Sequence, residues 1–239
     1  MMKGKKILGQ YHYGVILTYL SVIAAVVGIC FSVVHHTWVG VICLLVSGVC
    51  DAFDGTVAKT RKNRTIEERM FGEQIDSLSD LIAFGVAPAM LGFGMGMDRW
   101  YYVPVFAFFV LCALIRLAHF NVSEELRRNE ELAGGGAPRK SYEGLPVTSA
   151  AVAYPIFWMV ASFFWHSEKY FFISGIIMAA GLVLMAVLFV LRFRIVKLRT
   201  RGILIAIGIV AALLLALLLV KGLCFRQVKP PRRHDIPFL

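Results

Sequence analysis

Seven runs of mostly apolar residues follow one another along the 239-residue chain, at 14–34, 38–54, 75–96, 101–120, 146–165, 170–191 and 202–220, with polar segments between them. A helix needs about 20 such residues to cross the hydrocarbon core of a bilayer. In lipid the backbone N–H and C=O groups have to be satisfied within the spanning structure, which favours helices for runs of this length. The pattern therefore predicts an all-α, polytopic membrane helix bundle of about seven spans. A hydrophobic content of 59%, a charged content of only 17% and a mean hydropathy of +0.73 agree. A soluble domain sits nearer 45–50% apolar and 25% charged, so a cytosolic enzyme, a secreted disulfide scaffold and a disordered chain are all excluded. Lys3, Lys5 and Lys6 precede the first run as they would in a signal peptide. No small-residue cleavage site follows and six further runs do, so the first run is expected to stay as a span.

The basic residues set the orientation. Lys3, Lys5 and Lys6, then Lys59, Arg61, Lys62, Arg64 and Arg69, then Arg116, Arg127, Arg128, Arg139 and Lys140, then Arg192, Arg194, Lys197, Arg199 and Arg201 all fall on one side of the membrane. Up to span seven the other side holds only Arg99 and Lys169. The positive-inside rule makes the crowded side cytoplasmic, and with it the N-terminus. Trp38, Trp100, Tyr101, Tyr102, Trp165 and Tyr170 lie at the outer span ends, where an interfacial aromatic belt belongs. The tail 221–239 breaks the pattern. Seven spans place it outside, yet it carries Lys221, Arg226, Lys229, Arg232 and Arg233. Either these late charges do not control topology, or span seven is re-entrant or interfacial.

A net charge of +10 would suggest nucleic acid in a soluble protein. Here the charges lie between spans, so membrane orientation and anionic headgroups account for them and no nucleic-acid partner is expected. Cys30, Cys43, Cys50, Cys112 and Cys224 form no CxxC pair, and four of them fall in or at the end of apolar runs, so they read as reduced packing residues. The segments 59–72 and 121–145 read as long cytoplasmic loops, the second including the flexible stretch AGGGAPRK.

The chemistry concentrates at 51–88. Asp51 and Asp54 stand i, i+3 at the end of the second run, and Asp76 and Asp80 stand i, i+4 at the start of the third. Each pair shares one helix face. A carboxylate at the centre of a spanning helix costs about 2.5–3.5 kcal/mol on the insertion scale. Even near the interface four of them repel one another unless something positive lies between. With carboxylate oxygens and no Cys or His nearby, the fitting partner is a hard divalent cation, Mg²⁺ or Mn²⁺. Gly55, Ala58 and Gly72 are interleaved with the aspartates and leave room for a phosphorylated ligand to approach the backbone.

This segment resembles the CDP-alcohol phosphatidyltransferase family, whose pattern is D-x-x-D-G-x-x-A-R, a spacer, then G-x-x-x-D-x-x-x-D. Asp51, Asp54, Gly55, Ala58, Gly72, Asp76 and Asp80 match it. Lys59 stands where the pattern has Arg, and the spacer of twelve residues to Gly72 is longer than the family's. Lys keeps the charge and loses the bidentate fork; Arg61 is the nearby substitute. The stretches DSLSDLIAFGVAP at 76–88, IRLAHFNV at 115–122 and YEGLPVTSAA at 142–151 are similar to those of the family's phosphatidylserine synthases.

The resemblance implies a six-helix core over residues 1–195, with 196–239 as an additional span and basic tail. It implies that Asp51, Asp54, Asp76 and Asp80 hold two divalent ions, that Asp80 also acts as general base, and that Gly55, Ala58, Lys59 and Gly72 line a nucleotide pocket. The implied substrates are CDP-diacylglycerol, whose chains would stay in the bilayer among membrane lipids, and L-serine, and the implied assembly is a homodimer. Arg116 lies near the cytoplasmic end of the fourth run, and reads either as an anchor for the serine carboxylate or a lipid phosphate, or as a snorkelling helix-end arginine. Lys140 and Asn121 are further pocket candidates, whereas His119, His35 and His36 read as structural. Two other functions remain open: a sister transferase using glycerol 3-phosphate or inositol phosphate, and a divalent-cation transporter. The transporter reading would place ionisable groups at mid-bilayer, whereas these four cluster at one face.

Overall fold

A computed structural model describes residues 9, 13–59, 65–132, 141–162, 164 and 168–196, and six positions between 202 and 215. Helix α1, Tyr13–Val33, turns back on itself through His35 and continues as α2, Thr37–Lys59. His35 takes a left-handed φ of 68°, its N–H donates to the Ser32 carbonyl at 2.8 Å, and the His36 N–H donates to the Phe31 carbonyl at 2.9 Å. That turn satisfies the end of α1 and makes α1 and α2 an antiparallel pair.

Helix α3, Ile66–Asp80, opens on a capping box. Glu68 N–H donates to Thr65 Oγ1 and Thr65 N–H donates to Glu68 Oε2, both at 3.1 Å. The two bonds close two of the orphan donors at the helix start. After Asp80 the helix widens into a π-turn, Leu81–Val86, and resumes as α4, Ala87–Gly94. Pro88 explains the widening: it has no N–H, and its ring would crowd the carbonyl four residues back in a regular α-turn. The result is one continuous rod, Ile66–Gly94. Gly94 lets α4 meet α1 closely, since a Cβ there would run into the Ser32 carbonyl oxygen.

A 3-10 turn, Trp100–Tyr102, leads into α5, Val103–Leu132. Strand β1, Ser141–Glu143, pairs antiparallel with β2, Arg194–Val196, in the register Tyr142↔Ile195. Between them run a 3-10 turn, Val147–Ser149, then α6, Ala150–Ser162, and α7, Glu168–Val190. The core lies where α5, α6, α7 and the π-turn meet. Phe84, Phe109, Tyr154 and Phe189 are fully buried there, and the Phe109 and Phe189 rings lie 5.7 Å apart.

Five described helices are long and apolar enough to cross a membrane: Val15–Val33, Thr37–Gly55, Ile66–Gly94, Trp100–Glu130 and Phe172–Val190. Val147–Ser162 is a shorter apolar helix at the position of the expected fifth span. Ile16, Leu20, Ile23 and Phe31 on α1, and Ile176, Leu184 and Val187 on α7, point outward. Apolar side chains exposed in such number suit lipid rather than water. The expected seventh span, 202–220, falls outside the described residues apart from six isolated positions, all helical.

The bundle is helical, with the three-residue β1–β2 ribbon besides. Two readings of the sequence need correction: the segment 59–72 is not loop throughout, because α3 begins at Ile66, and neither is 121–145, because α5 runs on to Leu132. Ion pairs one turn apart, Arg127 with Glu124 at 2.7 Å and Arg128 with Glu125 at 3.3 Å, support that extension, and Arg128 also reaches Glu73 on α3.

Candidate active site

Helices α2 and α3 both pack against α1, and at one end of the bundle their aspartate side chains come together. One carboxylate oxygen from each of Asp51, Asp76 and Asp80 lies within 4.8 Å of the others. Oxygens gathered around a single hard cation at about 2.1–2.6 Å occupy a comparable span. Asp54 stands to the side of this triad. Its carboxyl faces that of Asp76, while Asp51 faces Asp80. Asp54 is 8% exposed, and the Thr18 hydroxyl of α1 donates to its Oδ2 at 3.3 Å.

None of the four aspartates ion-pairs with a Lys, Arg or His among the described residues. Four carboxylates at this spacing repel strongly in a low-dielectric setting. A donor set made only of carboxylate oxygen fits a divalent cation of the Mg²⁺ or Mn²⁺ class and does not fit a soft metal.

Both candidate glycines face open space. A Cβ built on Gly55 or on Gly72 would meet nothing within 4 Å. Neither glycine is therefore required by the protein's own packing, and a ligand can approach the backbone at both. Ala58 and Lys59 lie in the last turn of α2, with side chains outside the described set. Arg61 and Lys140 lie outside the described residues altogether.

Arg116 does not snorkel. It is 8% exposed, its Nε donates to the Leu145 carbonyl at 3.0 Å and its Nη2 donates to the Gly144 carbonyl at 3.1 Å. The guanidinium thus fastens the segment before α6 to α5. Gly144 has φ +73°, and a Cβ there would sit 2.8 Å from the Leu191 carbonyl oxygen. Its N–H donates to the Phe193 carbonyl at 2.6 Å, so the same segment is also fastened to the end of α7. His119 is exposed and lines a shallow cleft with Arg116, Phe189 and Arg192. His35 lies far along the chain's turn from the aspartates, with Nδ1 3.2 Å from the Gly94 carbonyl.

Asn121 accepts a hydrogen bond at 2.9 Å from Ser77, the residue next to Asp76, and so ties α5 to the aspartate turn of α3. Sequence reasoning did not single out Ser77, Ser79 or Thr18. Their one signal is a small hydroxyl residue on the helix face that also carries, or packs against, the aspartates.

Residues 11–187, about three quarters of the chain, match the model of a family described as CDP-alcohol phosphatidyltransferase. The chain belongs to that family.

Among similar proteins of the family is the archaetidylserine synthase of Methanothermobacter thermautotrophicus, 36% identical over 66% of this chain and 63% of that protein. The CDP-diacylglycerol–serine O-phosphatidyltransferase of Saccharomyces cerevisiae is 41% identical over 42% of this chain and 34% of its own length. The enzyme of the same description in Mycobacterium leprae is 31% identical over 57% of this chain and 43% of its own. The chain thus spans between about a third and just under two thirds of the length of these curated relatives. The family's aspartate-and-glycine pattern falls on the α2–α3 end of the bundle, where the geometry gathers the carboxylates.

Proposed function

We propose that this phosphatidyltransferase moves the phosphatidyl group of CDP-diacylglycerol onto the hydroxyl of L-serine, giving phosphatidylserine and CMP. The observation that carries the proposal is the Asp51–Asp76–Asp80 cluster, which has no cationic partner among the described residues and opens beside two glycines that pack against nothing. The serine-specific names of the relatives supply the acceptor.

Asp51, Asp54, Asp76 and Asp80 hold the metal, Mg²⁺ or Mn²⁺ and two ions in this reading. Bound there, it supplies positive charge against the diphosphate and the leaving phosphate. The remaining work falls to the chain itself. Gly55, Ala58 and Gly72 give the nucleotide a surface without side chains, and Lys59 with Arg61 offers positive charge to the diphosphate. The Asp80 carboxylate takes the proton of the serine hydroxyl. That oxygen forms a bond to the phosphorus bearing diacylglycerol, the bond from this phosphorus to the bridging oxygen breaks, and CMP leaves with the electron pair. Arg116 and Lys140 belong to the acceptor side, Arg116 through the loop that it fastens.

The positive-inside pattern supports a multi-pass protein of the cell membrane with its N-terminus and active site cytoplasmic. Residues 1–195 make up the transferase unit in this reading, 196–239 are an appended span and tail, and the working form is a homodimer. The test is CMP release by the purified protein in detergent, with CDP-diacylglycerol and Mn²⁺ or Mg²⁺. L-Serine, glycerol 3-phosphate, inositol phosphate and no acceptor are compared. Release that requires serine and metal is the expected result. Release with a different acceptor moves the protein to a sister activity, and no release with any acceptor from folded protein overturns the reading.

A further inference from the structure

We propose that Thr18 of α1 is a positioning residue for the metal-binding aspartates, tying the two aspartate-bearing helices to one point. The inference rests on the metal-site reading above and deepens it.

Thr18 lies in the second turn of α1 and is only 4% exposed. Its hydroxyl donates to Asp54 Oδ2 at 3.3 Å, on α2. Its carbonyl accepts at 3.1 Å from Ser79 Oγ, on α3 between Asp76 and Asp80. Ser79 is itself buried, 3% exposed. One residue therefore contacts both aspartate-bearing helices, by its side chain on one side and by its backbone on the other. One turn along, Ser47 Oγ donates to the Ser21 carbonyl at 2.9 Å and Ser21 Oγ donates to the Ser47 carbonyl at 3.4 Å. That reciprocal pair fixes α1 against α2 both along and around its axis, so the Thr18 hydroxyl is held in place rather than free to slide.

The chemistry explains the need. A carboxylate that ligates a metal through one oxygen turns about its χ2 unless its other oxygen is held. Asp54 is the member outside the three-oxygen cluster, and it meets the cluster through Asp76, with the Gly55 N–H and the Thr18 hydroxyl as its further partners. A hydroxyl donor at Oδ2 holds the carboxyl against rotation beside Asp76. Partners of this kind typically change metal affinity or activity 10–100-fold when removed.

The experiment compares Mn²⁺ binding, by calorimetry or by the loss of the free Mn²⁺ resonance signal, with serine-dependent CMP release. The proteins are the unaltered protein, Thr18→Val, Thr18→Ser and Asp54→Asn in detergent. Thermal unfolding without metal is measured for each. Thr18→Val keeps the shape and loses the hydroxyl. It is expected to weaken Mn²⁺ about tenfold or more, raising the metal concentration needed for half-maximal rate, with KM for serine unchanged. Thr18→Ser restores most of the affinity. If Thr18→Val binds Mn²⁺ as the unaltered protein does while Asp54→Asn does not, the positioning role is overturned and the metal site stands. A lower unfolding temperature in Thr18→Val with unchanged Mn²⁺ affinity assigns Thr18 to packing alone, which also overturns it. Absence of Mn²⁺ binding in the unaltered protein overturns both readings.

Discussion

Helix α3 carries two kinds of carboxylate within two turns, and they are treated in opposite ways. Glu73 is exposed and met by cations: Arg128 of α5 bonds its Oε1, and Arg69 approaches the same atom at 3.7 Å. Asp76 and Asp80, one and two turns further toward the bilayer, lie among Asp51 and Asp54 with no ion pair among the described residues. Water and nearby arginines make Glu73 self-sufficient, as surface pairs usually are. Crowding carboxylates with no cationic partner among the described residues makes sense when the counter-charge arrives with the ligand. The difference separates, on a single helix, a carboxylate paired by the protein from carboxylates that the proposed function leaves for a metal.

The sharpest way to break this comparison is to neutralise one member of each kind. Asp80→Asn is expected to lower CMP release by about 10²–10⁴-fold, the usual worth of a general base. Glu73→Gln is expected to leave the rate within about twofold, as befits an exposed pair on the order of 1 kcal/mol. Equal losses in both would remove the distinction.

A second test moves to the fastening around Arg116. Gly144→Ala forces a side chain into a left-handed φ of +73° and against the Leu191 carbonyl. It is expected to cost roughly 1–3 kcal/mol of stability, read as a lower unfolding temperature in detergent. A neutral result would mean that the segment before α6 relaxes freely and is not fixed by Arg116.

The third test concerns the open glycines. Gly55→Ala and Gly72→Ala meet no protein atom. Stability is expected to hold or to rise by up to about 1 kcal/mol, because alanine is the better helix former. KM for CDP-diacylglycerol is expected to climb about tenfold, the scale of one added methyl in a fitted site. A fall in stability without a change in KM would return both glycines to packing.

The smallest effect belongs to the paired surface. Arg128→Ala removes the contacts to Glu73 and Glu125 and is expected to destabilise by less than about 1 kcal/mol. The effect should shrink further at high salt. Unfolding curves at low and high ionic strength check it.

The carboxylate cluster of the candidate site was legible in the sequence because its signal is chemical. Four aspartates at helical spacing in an apolar context are hard to explain by packing, and the glycines beside them point the same way. Less of the fold was legible. The extension of α5 to Leu132 was hidden because residues 121–132 are polar, and polarity there reads as loop unless the Glu–Arg pairs one turn apart are counted. The π-turn at Leu81–Val86 was hidden too. Pro88 announces a disturbed helix, but a wide turn and a kink look the same in the sequence. Arg116 left two readings open, and only the positions of the Gly144 and Leu145 carbonyls show where two of its nitrogens go.

The sequence by itself determined the apolar helical spans and which aspartates share a helix face. Apolar runs of span length impose helices in lipid because unpaired backbone groups are costly there, and carboxylate spacing of three and four residues imposes shared faces because the helix repeats every 3.6. Tertiary structure decided which faces meet. That Asp51 faces Asp80, that Asp54 leans on Thr18, and that Gly144 is held between α5 and α7 all depend on contacts between residues far apart in the chain. Helical periodicity says which residues share a face, but not which other helix that face will find.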